Sequence, residues 1–470
     1  MSKTFLINVG SLSASRLFLA LSQILVLPVV ARFLSPDDFG DMALAMGIVV
    51  FAQLLSDAGL GRSLIRQPTM DPKEWSAVFW LLAAVGVGLT VLLTALAPLW
   101  AALFDRPRML ALVPVLASVV LLNALAAVPI ARLEKDGQFP AVAWIRTAAG
   151  LGGIVAILSL AAAGAGVWAL VGQQIALAAI QTGLAAAVTR FRPQAPRDFP
   201  PLGHHIRFAS DNVGTSLLFT GQTQAPILLL GYVLGAAPLG LFAVAQRFLT
   251  LPRTGLAGPV AQVVYVRMAA AQADPAEVAR IYVASCRLLA FAAIPPIFVL
   301  AGAGFGLFPL LLSETWTGVA MVFALAAPGI AIEVATSSAG VMFQAMDQTR
   351  LRLRMAFERM VLRTLAVAVA VPFGLNATAL ALSLFALAYT PRYLAFAARI
   401  APVRQRDVLA SVTGPVVVGA LAWLGLVLIG PRIGGWPALA LAATALIVAW
   451  AVAALVQRTA LQRALSTVRD

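Results

Sequence analysis

Long apolar runs separated by short polar breaks recur along the whole chain. A helix crosses the hydrocarbon core of a bilayer in about 20 residues, and lipid offers no partner to an unpaired backbone amide, so each run reads as a spanning helix. Fourteen such runs can be drawn. The first eight are Ser11 to Leu34, Phe39 to Ile65, Ala77 to Leu99, Met109 to Ala131, Pro140 to Ala161, Val167 to Val188, Phe208 to Val233 and Leu239 to Val266. The remaining six are Tyr282 to Ala303, Val319 to Phe343, Phe357 to Phe373, Ala377 to Ala397, Val408 to Gly430 and Trp436 to Val456. One division rests on the breaker cluster Pro372-Phe373-Gly374-Leu375-Asn376, which splits an apolar stretch too long for a single crossing. The predicted class is an all-α polytopic membrane protein with about 14 transmembrane helices.

Composition agrees: 61% of the 470 residues are hydrophobic and 11% charged, where a soluble domain carries roughly 25% charged residues. A cytosolic enzyme, a disulfide scaffold and a disordered chain are excluded together. The net charge of +14 would suggest nucleic acid in a soluble protein. Here the basic residues fall on alternate loops, the pattern that marks the cytoplasmic side of a membrane. One set holds Arg62, Arg66, Lys73, Arg132, Lys135, Arg190, Arg192, Arg197, Arg267, Arg280, Arg350, Arg352, Arg354, Arg404 and Arg406, with Arg458, Arg463 and Arg469 in the tail. The opposite set holds only Arg32, Arg106, Arg108 and Arg432, beside Asp37, Asp38, Asp41, Asp105 and Glu314. Both termini are therefore expected in the cytoplasm, and no nucleic-acid partner is expected. The longest outward loop runs roughly from Gly304 to Gly318, too short for a catalytic domain outside the membrane. Cys286 is the single cysteine, and with His204 and His205 it makes no four-ligand zinc site, so no metal centre is expected. The histidine pair reads as solvated in a cytoplasmic loop.

A shift of 200 residues aligns Leu34, Gly40, Ala43 and Ala45 with Leu234, Gly240, Ala243 and Ala245. Each copy lies at the turn joining the first two helices of a six-helix block. Parallel repeats of this kind are a transporter architecture, with the substrate path between the halves. The expected organisation is an N-terminal lobe over residues 1–200 (helices 1 to 6), a C-terminal lobe over 201–400 (helices 7 to 12), and two appended helices with a cytoplasmic tail over 401–470.

The stretch Ala31-Arg32-Phe33-Leu34-Ser35-Pro36-Asp37-Asp38-Phe39-Gly40, then Asp57-Ala58-Gly59-Leu60 and Leu64-Ile65-Arg66, resembles the N-terminal signature of bacterial polysaccharide flippases. These belong to the multidrug/oligosaccharidyl-lipid/polysaccharide exporter superfamily. A second likeness runs from Leu229-Leu230-Gly231 through Leu234-Gly235-Ala236-Ala237 to Ala245-Gln246-Arg247-Phe248-Leu249-Thr250-Leu251-Pro252. The resemblance implies two six-helix lobes around a central cavity in the bacterial inner membrane. It also implies alternating access that carries a polyprenyl-diphosphate-linked oligosaccharide to the periplasmic leaflet, beside glycan polymerase and export machinery. A lipid II flippase or a multidrug exporter of the same superfamily is the alternative. A membrane polymerase or ligase would normally need a large periplasmic loop, and this chain lacks one. No enzymatic activity and no cofactor is expected, apart from a coupling Na+ or H+.

The acidic turn also has a structural reading: Ser35 caps a helix, Pro36 is its first residue, and Asp37 and Asp38 face its positive end. Ionisable residues inside spans are costly and mark paths or partners. Arg16 and Gln23 share a polar stripe on the first helix; Arg247 and Arg253 lie deep in the eighth, and Arg146 lies in the fifth. These five are the candidate substrate contacts, since a guanidinium is a permanently charged fork matched to phosphate oxygens. For Arg16 and Arg146 the competing explanation is snorkelling to the interface; for Arg247 and Arg253 it is an ion pair with Asp211 or Glu333. Asp211 and Glu333 are the ion-coupling candidates, with a hydrogen-bonded neutral acid as the alternative for Glu333.

A reporter active only in the periplasm checks the topology: fused after Asp470 it should be inactive, and activity there would remove either the helix count or the split at Gly374.

Overall fold

The computed structural model describes residues 15, 18, 19, 21–23, 25–57, 59–66, 71–195, 200–252, 257–429 and 436–469. Among them there is no strand. A first helix, α1, covers Leu21–Val30. It is followed by α2 (Pro36–Asp57), α3 (Leu60–Arg66), α4 (Pro72–Leu103), α5 (Met109–Lys135), α6 (Phe139–Ala162) and α7 (Val167–Thr189). Next come α8 (Gly203–Leu234), α9 (Ala236–Pro252), α10 (Gly258–Ala270), α11 (Pro275–Leu312), α12 (Gly318–Thr336) and α13 (Ala339–Ala345). The chain continues through α14 (Thr349–Ala370), α15 (Leu375–Ala397), α16 (Gln405–Ile429), α17 (Trp436–Val456) and α18 (Arg458–Arg469).

Eleven segments among the described residues are long and apolar enough to span a bilayer. The other three apolar runs differ for separate reasons. The first is interrupted by residues outside the described set, and its described part gives only the short helix α1. The eighth is carried by two shorter helices, α9 and α10. The eleventh lies in α14, whose arginines and Glu358 lower its hydropathy. The second run also divides, because Gly59 has φ +80° and ends α2 before α3 begins. The breaker cluster does separate a pair of helices: a short 3-10 turn over Val371–Phe373 leads to Gly374 at φ +98° and then α15. The tail forms an amphipathic helix, α18, that buries Leu461 and Ala464. Large apolar side chains such as Leu25, Val369 and Leu455 lie 70% or more exposed, as lipid-facing residues do.

The chain forms two compact units, residues 1–240 and 241–470. In the first, hydroxyls link neighbouring helices: Thr90 Oγ1 donates to the Ala117 carbonyl at 3.0 Å and Thr182 Oγ1 to the Leu122 carbonyl at 2.8 Å. In the second, the Gly329 amide donates to Ser383 Oγ at 2.8 Å, joining α12 to α15. Aromatic packing of Phe308 between Phe248 and Phe323 adds to the core of that unit.

One close backbone approach in the first unit is reciprocal. A Cβ built on Gly40 would lie 1.8 Å from the Ala236 carbonyl oxygen, and one built on Gly240 would lie 1.7 Å from the Pro36 carbonyl oxygen. Both pairs obey the 200-residue shift seen in the sequence. The two glycines are thus required by contact between equivalent positions of the repeat. Gly40→Ala and Gly240→Ala should each lower the thermal stability of detergent-solubilised protein by roughly 1–3 kcal/mol, the usual cost of overpacking. Gly183→Ala, with nothing within 4 Å of its Cβ, is the control and should be neutral or stabilising.

Candidate functional site

The signature turn closes as a capped helix start. Ser35 Oγ accepts from the Asp38 amide at 3.3 Å, while Asp38 Oδ2 accepts from the Ser35 amide at 3.0 Å and the Ser35 hydroxyl at 2.8 Å. This is the reciprocal pattern of a capping box, with aspartate in the usual glutamate position. Arg106 and Arg108, in the connection between α4 and α5, reach the same turn. Arg106 Nη1 lies 2.9 Å from Asp37 Oδ2 and 3.7 Å from Asp41 Oδ1; Arg108 Nη1 lies 3.3 Å from Asp41 Oδ2 and 3.7 Å from Asp38 Oδ1. Asp41 is fully buried. Two arginines and three aspartates therefore lock α2 to the next hairpin, which makes the motif an architectural clamp.

A second charged cluster sits in the other unit. The Glu333 carboxylate on α12 is held by Arg359 of α14, and Arg363 Nη1 lies 4.0 Å away. Both guanidiniums are mostly buried, with side-chain exposures of 22% and 13%. Nearby on the same helix, Glu358 takes a two-pronged contact from Arg392 of α15, one arm measuring 2.9 Å. Two guanidiniums thus stand beside the Glu333 carboxylate inside an apolar bundle.

A family model described as "Polysaccharide biosynthesis protein" matches residues 29–321. The chain belongs to that family. It is 27% identical over 252 residues to the succinoglycan biosynthesis transport protein ExoT of Rhizobium meliloti, covering 53% of this chain and 51% of that protein. It is 22% identical over 300 residues to the lipopolysaccharide biosynthesis protein WzxC of Escherichia coli, covering 63% of this chain and 61% of that protein. The match thus spans between half and about three-fifths of the length of these relatives. The fold is that of the lipid II flippase MurJ in its inward closed conformation, with a TM-score of 0.75 over 97% of this chain and 99% of that one, at 13% identity. The family match includes the clamped turn and Arg247 and ends before Glu333.

Of the residues singled out from sequence, Arg16 and Arg253 lie outside the described residues, as does the side chain of Asp211. Gln23 is exposed on α1. Arg146 on α6 meets Glu134 of α5 at 3.4 Å, and both are partly exposed. Arg247 is exposed on α9, one turn before Leu251. Sequence reasoning overlooked Arg359, Arg363, Glu358 and Arg392. The signal that could have found them was the spacing of Arg352, Arg359 and Arg363, seven and then four residues apart, which puts them on one helical face. Of the histidine pair, His204 is exposed, but His205 departs from the solvated reading. His205 is fully buried, because the first turn of α8 packs it against Glu74 of α4 and Ser63 of α3. Burial pushes the His205 imidazole below its ordinary pKa, opposed by its contact with Glu74.

Neutralising one member of a buried ion cluster strands the others. Glu333→Gln should therefore destabilise the protein in detergent melts by a few kcal/mol, and Arg359→Gln should restore some of that loss in the double variant, a coupling of about 1 kcal/mol or more. Strict additivity of the two substitutions would remove the pairing.

Proposed function

We propose that the protein is a flippase that moves a polyprenyl-diphosphate-linked oligosaccharide from the cytoplasmic to the periplasmic leaflet of the bacterial inner membrane by alternating access. Both termini lie in the cytoplasm, and the step is translocation without bond chemistry. The family membership and the MurJ-like fold support the reading. The single observation that carries it to residues is Arg247, an exposed arginine on a helix drawn from an apolar run. A permanently charged fork at that position suits phosphate oxygens and costs too much to be kept without a task. Arg16 and Arg253, with Gln23 and Arg146, complete the set of substrate contacts. Lobes over 1–200 and 201–400 each supply members of that set.

Energy coupling belongs to the same reading. Asp211 and Glu333 are the acidic groups through which Na+ or H+ would act, Glu333 through the guanidiniums that hold it. Release of such a cluster changes the balance of charge facing an anionic substrate.

Loss of the protein should leave assembled lipid-linked oligosaccharide on the cytoplasmic leaflet. Arg247→Ala should abolish translocation at unchanged protein level, and Arg247→Lys, which keeps charge but loses the fork, should retain a fraction of it. The measurement is protection of the glycan from an enzyme added to one side of vesicles. Single repeat units that still reach the periplasm in the deletion strain would replace transport with polymerisation.

A further inference from the structure

The first turns of α4 and α8 bring three metal-ligating side chains to one point. His205 Nε2 lies 2.8 Å from Glu74 Oε1, and His204 Nε2 lies 3.3 Å from the same oxygen. The ligating atoms of all three side chains fall within 4.8 Å of one another. The two imidazole rings are 3.8 Å apart between centroids. Glu74 is only 15% exposed at its side chain and His205 not at all, while His204 is 52% exposed and opens the cluster to solvent.

Ser63 Oγ donates its one proton to the Leu60 carbonyl at 2.7 Å. Its 2.6 Å contact with His205 Nδ1 must therefore use a proton carried by the ring nitrogen. A neutral imidazole protonated at Nδ1 then presents the bare lone pair of Nε2 to a carboxylate oxygen 2.8 Å away. Two acceptors face each other, and a cation between them resolves the conflict. A proton or a metal ion can occupy that position, between ligand atoms of three side chains that all lie within 4.8 Å of one another. A bound divalent ion needs the neutral ring, and a hydroxyl on its second nitrogen is the outer contact that orients a metal-ligating histidine.

We propose that Glu74, His204 and His205 form a binding site for a first-row divalent metal ion of the zinc type, with a fourth position open to solvent. Nitrogen and carboxylate donors around tetrahedral zinc stand about 3.3 Å apart, given bonds of about 2.0–2.2 Å. The His204–Glu74 separation of 3.3 Å already matches, and the His205–Glu74 separation of 2.8 Å opens slightly on binding. A single open site with three protein ligands excludes the oxygen-rich shell that calcium requires. The bound ion ties the first turn of α8 to the first turn of α4, at the start of the helix that follows the connection after α7. Neither the family membership nor the transport reading supplies this site.

The composition of the chain makes the test clean, since it holds two histidines and one cysteine in all. Full-length protein without a histidine tag is stripped with chelator and titrated with Zn2+ by calorimetry, and with Co2+ by visible absorption. The expected result is one Zn2+ per chain and a tetrahedral Co2+ spectrum, with no response to Ca2+. His204→Ala, at an exposed position that leaves folding intact, and Glu74→Gln should each weaken Zn2+ binding by about tenfold or more, and Ser63→Ala by about tenfold. Zn2+ binding unchanged in the His204→Ala chain overturns the site, as does an octahedral Co2+ spectrum or an equal response to Ca2+.

Discussion

Hydrocarbon solvates neither a peptide group nor a charge, and the whole architecture follows from that constraint. Backbone donors in the spanning region are met chiefly along the helices themselves, so the described residues are mostly helical, and the breaks include Gly59, Gly235 and Gly374, each at positive φ. Side-chain hydroxyls turn to carbonyls of their own or a neighbouring helix, as Thr90 and Thr182 do. Charges gather where they can neutralise one another: the aspartates of α2 with Arg106 and Arg108, and Glu333 with Arg359 and Arg363. A burial that would be costly for one group alone becomes tolerable for a cluster.

The same economy shapes the turn that carries the family likeness. Ser35, Asp38 and Asp41 satisfy the helix start and absorb two arginines, and Gly40 lets that start press against the backbone of Ala236. The second copy of the turn has alanines at 236 and 237 in place of Pro36 and Asp37, so the repeat keeps the glycine and discards the charge. Close approach is common to both copies and the ion clamp belongs to one. A glycine repeated at a fixed interval is a stronger statement about contact than the acidic residues around it.

Among the described arginines singled out from sequence, Arg247 is exposed on α9 and Arg146 lies 3.4 Å from Glu134. The basic face of α14 adds a second concentration of guanidinium charge in the unit that also contains Arg247. Its neutraliser, Glu333, stands on a different helix, so any movement between α12 and α14 alters the charge that this face presents.

Run length and hydropathy determined the solvent, the helical class, most crossings and the alternation of charge, because a bilayer selects on local composition and needs no knowledge of neighbours. The 200-residue repeat was legible for a related reason: glycine at 40 and at 240 is a requirement written at each position. Partners were not legible. Nothing in the order of residues links Glu333 to Arg359, Asp41 to Arg108, or Glu74 to His205, which lie 26, 67 and 131 positions apart. His205 looked like a loop residue because its hydrophilic neighbours set its local character, and only the packing of α3, α4 and α8 removed its water. A side chain's charge is a property of the sequence; what that charge faces is decided by which helices the fold brings alongside.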